Sequence, residues 1–397
     1  MIKNAFLSLF FASIISACCS SNQQDKDRLP FIDVRKNYPE KEIILTDIAE
    51  ITYLHLNTDK DDYLYKSPIR SLTVTNNTIV IYDNSSGSIL FFSKNGTPQS
   101  RFNHFGQGPR EYINNDMLLH IIYDEEQDDV YVCDVNSILI YSSSGEFKRK
   151  ISLPENVKAY TTTDFDDKSL FVNSIPHVND WSLADWDGVT DLIPSSYFTT
   201  FYQISKTDGA VLDSLEMPSN VTELYYKNEY GYTASLNIFN RISKGSDGLF
   251  LCNPEKDTIF QYTKEKTLTP VFHKIPPFRE TKPKSFINNW CEIGDYRFFD
   301  KFIFHKDSEQ ITYFLEKKSN EIFREKIVLP DYKNKNISLG PGWIHSSSVT
   351  NGRIFELDLI ELKQAYRENK LNGQLKSLVV TLNEFKDNNV FMLVNFK

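Results

Sequence analysis

Apolar positions along this chain fall in short runs, and each run closes on a carboxylate or an amide. The pattern reads Ile79-Val80-Ile81-Tyr82-Asp83, Val130-Tyr131-Val132-Cys133-Asp134, Leu170-Phe171-Val172-Asn173, Leu249-Phe250-Leu251-Cys252-Asn253 and Tyr313-Phe314-Leu315-Glu316. A looser sixth copy is Ile354-Phe355-Glu356-Leu357-Asp358. Runs of three or four branched and aromatic residues suit a pleated sheet. After a polar turn, a second such run begins with isoleucine. Its offset is six residues from Asp83 to Ile89, Asn253 to Ile259 and Glu316 to Ile322, and four from Asp134 to Ile138. Hairpin signals follow at Asn95-Gly96, Ser144-Gly145 and Asp208-Gly209, pairs that tolerate the positive φ of a tight reversal.

Apolar strand, polar turn, apolar strand, glycine turn and outer strand, recurring at irregular intervals, is the unit of a propeller blade. The sequence therefore predicts an all-β fold, a β-propeller of about six blades over residues 39–397. A ring left open would expose two unpaired edges. The segments Ile43-Ile44-Leu45 and Ile51-Thr52-Tyr53-Leu54 are expected to close it beside Val390 to Phe396, completing the last blade. Helical spacing is nearly absent. Its best instance is Leu359 to Lys370, where Leu359, Leu362 and Tyr366 share a face.

The N-terminus has a different pattern. Lys3 precedes an apolar stretch from Ala5 to Ile15, too short to span a bilayer as a mature helix. The stretch ends in Ile15-Ser16-Ala17-Cys18, which resembles a lipobox. Residues 1–17 are thus expected to be a signal peptide, Cys18 the lipidated residue, and 18–38 a tether, polar from Ser20 to Arg28. Fatty chains contribute about 0.8 kcal/mol per buried methylene, so several on one cysteine hold a soluble domain at a membrane.

Charge narrows the partners. Loss of residues 1–17 removes Lys3 alone, leaving 43 basic against 53 acidic side chains. With this balance and no Lys/Arg run, nucleic acid is excluded as a partner. Cys19, Cys133, Cys252 and Cys291 are too few and too widely spaced for a disulfide scaffold or a metal site. Cys133 and Cys252, at the ends of apolar runs, read as small buried hydrophobes. Neither a metal nor a cofactor is expected.

One stretch carries a family resemblance. Phe105-Gly106-Gln107-Gly108-Pro109-Arg110-Glu111-Tyr112, followed by Val130 to Asp134 and then Asn136, Ile138, Tyr141 and Gly145, resembles the repeat of NHL-type propellers. Together with the lipobox and the closing stretch Asn388 to Lys397, it is similar to the six-bladed β-propeller lipoproteins of Gram-negative gut-type bacteria. The resemblance implies an outer-membrane lipoprotein of the cell envelope and leaves open which side of the membrane it faces.

Candidate sites fall into five groups. The Phe105–Tyr112 loop offers His104, Arg110 and Glu111 to a ligand, or else connects two blades. The recurrent closing residues Asp83, Asp134, Asn173, Asn253 and Glu316 would turn acceptors toward one face, or else bond turn amides. A long insertion in the third blade holds His177, Asp180, Trp181, Asp185, Trp186, Asp187 and Tyr197. Trp181, Trp186 and Tyr197 would stack on sugar rings while Asp185 bonds hydroxyls. Tyr225, Tyr226, Tyr230 and Tyr232 form a second aromatic set, and Trp290, Trp343, His345 and Arg353 are candidates for the rim or channel. No metal spacing, phosphate loop or nucleophile elbow is present. The leading expectation is a membrane-anchored, non-enzymatic binding or scaffolding module for a protein, a glycan or an outer-membrane protein complex. The alternative is a polysaccharide lyase or hydrolase, or a lactonase-like enzyme, with its site in the central channel.

Overall fold

The structure is a computed structural model, which describes residues 29–58, 61–66, 69, 71–113, 119–155, 157–174, 198–218, 225–227, 233–235, 242–245, 247–253, 256–304, 309–339, 345–346 and 352–397. The chain enters the fold as three short strands, β1 (Phe31–Asp33), β2 (Glu40–Ile44) and β3 (Ala49–His55), with a single helical turn α1 (Leu45–Ile48) before the third. These three go to three different sheets.

Five antiparallel blades follow in sequence. The first comprises β4 (Ser71–Val74), β5 (Thr78–Asp83), β6 (Ser88–Ser93) and β7 (Pro98–Phe102). The second is β8 (His120–Asp124), β9 (Asp129–Cys133), β10 (Ser137–Tyr141) and β11 (Phe147–Ser152). The third is β12 (Ala159–Asp166), β13 (Ser169–Ser174), β14 (Phe198–Ser205) and β15 (Val211–Pro218), after which β16 (Tyr225–Lys227) and β17 (Thr233–Ser235) form a separate pair. The fourth is β18 (Ile242–Gly245), β19 (Gly248–Leu251), β20 (Thr258–Thr263) and β21 (Leu268–Ile275). The fifth is β22 (Lys284–Ile293), β23 (Tyr296–Phe304), β24 (Glu309–Glu316) and β25 (Glu321–Val328).

The C-terminal part closes the ring. Two short strands, β26 (Asn336–Ile337) and β27 (His345–Ser346), pair with β25 and β4. Then β28 (Gly352–Leu357), helices α2 (Leu359–Arg367) and α3 (Gly373–Thr381), and β29 (Val390–Phe396) complete the chain. A three-stranded sheet, ordered β28-β29-β3, stands between the fifth blade and the first. The expectation of about six blades is thus corrected to five blades of at least four strands, with a smaller sheet finishing the circle. Among the described residues this sheet has three strands, and helices α2 and α3 occupy the chain between β28 and β29, where a regular blade would turn directly.

The clasp is half as expected. Strand β3 pairs antiparallel with β29 from His55 opposite Val390 to Ala49 opposite Phe396. Ile43 and Ile44 instead lie in β2, which adds in parallel to β25 of the fifth blade, and Leu45 begins α1. In the same manner β1 adds in parallel to β21 of the fourth blade, so part of the stretch assigned to the tether is folded. Parallel strands must come from distant sequence, and a chain that skirts three sheet edges in succession supplies them. It also covers edges that would otherwise invite pairing.

Apolar side chains pack between neighbouring sheets. Val80, Tyr82 and Phe91 meet Val130, Val132 and Tyr141 between the first two blades, and Trp290, Phe299 and Tyr313 meet Phe250 and Phe272 between the fifth and fourth. Trp290 is fully buried there, so it belongs to the core and not to the rim or channel. The predicted glycine turns link the third strand of each of the first three blades to its outer, fourth strand. Gly145, at φ 88°, comes so close to Phe102 of the preceding blade that a Cβ would lie 2.6 Å from the Phe102 Cβ.

Helix α2 matches the predicted segment, burying Leu359, Leu362 and Ala365, with Asp358 capping its start by accepting from the Glu361 amide. Among the described residues no helix is long and apolar enough to cross a membrane.

Candidate functional site

The Phe105–Tyr112 loop links the first blade to the second and satisfies its own polar groups. Tyr112 is buried, its hydroxyl donating to the Gly87 carbonyl at 2.6 Å and accepting from the His104 amide at 3.1 Å. Burial pushes this phenol up to about 12. The His104 ring lies flat on Tyr141, centroids 5.1 Å apart, and its Nε2 is 2.7 Å from the Gly145 carbonyl. Glu111 accepts from the Gly108 amide at 2.7 Å, and Arg110 sits over the Phe147 ring at 5.2 Å. The glycines are needed because a Cβ on Gly106 would lie 2.0 Å from a Glu111 carboxylate oxygen. His104, Arg110 and Glu111 are therefore brought together by inter-blade packing, each against a partner of this chain.

The recurrent closing residues separate into three kinds. Asp83 accepts from the Ser85 amide and from the Ser85 and Ser86 hydroxyls, and Asp134 from the Val135 amide, as turn residues do. Asn173, near the end of β13, and Asn253, just beyond β19, are buried and make no hydrogen bond through either amide atom. Glu316 departs from the pattern. It lies on β24, the third strand of its blade, and pairs with Lys41 of β2. The run Tyr313 to Glu316 repeats the composition of the others one strand later, so five equivalent acceptors on one face do not form.

His177, Asp180, Trp181, Asp185, Trp186, Asp187 and Tyr197 lie outside the described residues, as do Tyr230, Tyr232 and Trp343. The strands flanking the insertion are described: β13 and β14 pair from Ser169 opposite Ser205 out to Ser174 opposite Thr200. Tyr225 and Tyr226 lie on β16, and His345 on β27.

A polar row crosses the fifth blade. Asn288 on β22 is opposite Asp300 on β23, and Asp300 is opposite Thr312 on β24. Directly opposed residues share a face, here the one turned toward the closing sheet, where Phe298 and Phe314 also point. The Thr312 hydroxyl donates to Asp300 Oδ1 at 2.7 Å, and Gln310 Nε2 donates to Oδ2 at 2.8 Å. Glu325 on β25 accepts from the Leu339 amide at 2.7 Å and from the Ser338 hydroxyl at 2.8 Å. Burial pushes the Glu325 carboxyl up to about 7, against the pull of those donors. Asn288 is fully buried with neither amide atom bonded.

Arg353, a rim candidate, reaches the same region from β28. It donates to its neighbour's carbonyl, Gly352, and its Nε is buried without a partner. Burial raises the Cys291 thiol, while Arg353 beside it works the other way. Sequence reasoning missed Asp300 and Glu325. Glu-Lys-Ile and Phe-Phe-Asp-Lys read as ordinary alternating strands, and the signal is that Asp300 interrupts the otherwise apolar face of Tyr296, Phe298, Phe302 and Phe304.

Among the described residues no group of three or more His, Cys, Asp or Glu side chains is arranged to hold a metal ion. Cys133, Cys252 and Cys291 are free and buried.

A comparison with curated proteins finds no match. Among solved structures the chain is similar to a Bacteroides fragilis protein described as exported, with 18% identity, a TM-score of 0.59, and coverage of 90% of this chain and 98% of that one. A member of the DUF4221 family from Bacteroides vulgatus aligns at 11% identity and a TM-score of 0.40, over 88% of this chain and 97% of the other. At these identities the first likeness speaks for the fold alone. Sequence gives the firmer assignment, because residues 29–395 match one family model, from just before β1 into β29, and the chain belongs to that family, described as Domain of unknown function (DUF4934).

Proposed function

We propose that this protein is exported to the cell envelope, held to the outer membrane through lipid on Cys18, and acts there by binding, with the third-blade insertion as its recognition element. The observation that supports this reading most is the mounting of that insertion. Strands β13 and β14, which flank the insertion in sequence, stay paired out to Ser174 and Thr200 as one hairpin. Loops carried on such scaffolds are the usual place for recognition. This one holds Trp181 and Trp186, two of the chain's four tryptophans, with Asp185 and Tyr197. Flat aromatic faces beside carboxylates fit a glycan, whose rings stack and whose hydroxyls are bonded. The Bacteroides fragilis relative described as exported is consistent with delivery to the envelope. By contrast His104, Arg110 and Glu111 serve the contact between the first two blades, which leaves them out of this reading.

The test uses the mature domain on a glycan array and in a pull-down from envelope extract, wild type against Trp181→Ala/Trp186→Ala. Loss of at least tenfold in affinity with an unchanged unfolding midpoint is expected, as for an aromatic hot spot. Binding that survives the double substitution removes the insertion from the recognition role. Cys18→Ala is expected to shift the protein from the membrane to the soluble fraction.

A further inference from the structure

The polar row on the fifth blade has a proton count that two ionised carboxylates do not satisfy. Four oxygens stand in a line: Asp300 Oδ1, Thr312 Oγ1, Ser338 Oγ and Glu325 Oε2. The contacts between them are 2.7, 3.0 and 2.8 Å. Each is at hydrogen-bond distance, and each needs one proton. The two hydroxyls supply only two. With both carboxyls ionised, Thr312 donates to Asp300, Ser338 donates to Glu325, and the two hydroxyl oxygens face each other with nothing between them. One more proton, placed on Glu325, orders the line. Glu325 then donates to Ser338, Ser338 to Thr312, and Thr312 to Asp300, so all three contacts become hydrogen bonds.

We infer that Asp300 and Glu325 hold a single proton between them through Thr312 and Ser338, making the contact between the fifth blade and its β26 cover a pH-responsive element. The partners at the two ends favour this placement. Asp300 receives a second donor from Gln310 Nε2 and stays the charged member. Glu325, pushed up to about 7 by burial and, to a smaller degree, by the nearby Asp300 charge, is the member that keeps the proton. Asn288, opposite Asp300, is fully buried with both amide atoms unbonded, an independent sign that this stretch of the row is short of hydrogen-bond partners.

The groups facing the line are few. From β22 comes the Cys291 thiol, whose Sγ contacts the Leu339 carbonyl, and from β28 comes Arg353 beside it. Helices α2 and α3 present Leu362, Leu375 and Val379 to this core. The cations are Arg353, whose influence falls on Cys291, and, opposite Glu325 on β2, Lys41, whose ammonium pairs with Glu316. A carboxyl raised in the folded state stabilises the fold fully below its ordinary value, and that contribution is lost as pH rises through the folded value. Stability therefore declines from about pH 5 to about pH 8.

Carbon-13 labelling of glutamate side chains, followed by NMR titration of the mature domain, tests this directly. The Glu325 resonance, assigned by its disappearance in Glu325→Gln, is expected to titrate near 7. Thr312→Val cuts the line in the middle and is expected to lower that midpoint by about one pH unit, the worth of one charge-assisted hydrogen bond. Glu325→Gln keeps a donor at that end and is expected to flatten the decline in unfolding midpoint with pH. A wild-type midpoint in the ordinary glutamate range overturns the proposal. So does a raised midpoint that Thr312→Val leaves in place, since burial alone then accounts for it.

Discussion

Between the first and second blades, the polar atoms that are buried have partners: Tyr112 bonds to Gly87 and His104, Tyr141 to Arg110, and Thr73 to Ile121 across the two sheets. Between the fifth blade and the closing sheet, Asn288 and the Nε of Arg353 are buried and unbonded, and two carboxyls lie in one row. Both interfaces sit at similar depth and both hold phenylalanines in contact. They differ in what the intervening chain supplies. The first two blades meet through a short connecting loop with two glycines and a proline, which folds back to bond their edges. The fifth blade meets a sheet assembled from both ends of the chain, with two helices between its strands; of the described residues that follow the blade, Ser338 and Leu339 bond Glu325 while Asn288 stays unbonded. Polar residues left over at such a junction become either a cost or a titratable device.

The largest expected effect falls on the apolar interface. Phe91 is buried, packed edge-on to Tyr123 at 5.5 Å and against Phe102. Phe91→Ala removes a ring from a site walled on both sides by rigid sheet and should cost about 3–5 kcal/mol. The denaturant midpoint measures it. A loss under about 1 kcal/mol would mean that the neighbouring blades collapse into the gap, and that the first two blades are no more tightly joined than the fifth is to the closing sheet.

The same contrast decides what the sequence disclosed. In the first two blades the apolar runs, the isoleucine offset and the glycine turns all describe real strands, because each blade there is four consecutive strands with tight reversals. Farther along, the reading slips. Tyr313 to Glu316 has the right composition but is a third strand, since β22 and β23 before it are long strands whose apolar pattern is interrupted in the sequence by Asp300, Lys301 and the asparagines at 288 and 289. Trp290 is a rim or channel candidate by its position in the sequence alone, yet the pleat at that point turns it into the fourth-blade contact. Helix α3 was not foreseen: its Leu-Val-Val-Thr reads as strand, and its N-cap Asn372 makes no side-chain bond. Local pattern reports which residues are buried. Which sheet a distant segment such as β1 or β2 joins depends on pairing across some 240 to 280 residues, and no window of the sequence contains that.

A smaller effect probes the loop that joins the first two blades. Tyr112→Phe keeps the ring and deletes an oxygen that donates to Gly87 and accepts from the His104 amide. Two buried backbone groups lose their partner, and a loss of about 1–2 kcal/mol is expected in unfolding, with His104 still stacked on Tyr141. If Tyr112→Phe is neutral, water reaches those groups, and the loop is looser than its hydrogen bonds indicate.

The smallest effect has the opposite sign, and it is the sharpest test of the comparison. Asn288→Leu puts an apolar side chain of similar volume where an amide is buried with neither atom bonded. Removing an unpaired polar group from the interior relieves its desolvation cost, and Phe298 and Phe314 on the same face offer apolar contact. A gain of about 1 kcal/mol in unfolding free energy is expected, whereas the equivalent change at a bonded residue between the first two blades would lose stability. A loss at Asn288 instead would show that its amide is engaged in the folded protein in solution, and the junction would then resemble the first two blades in having its polar groups satisfied.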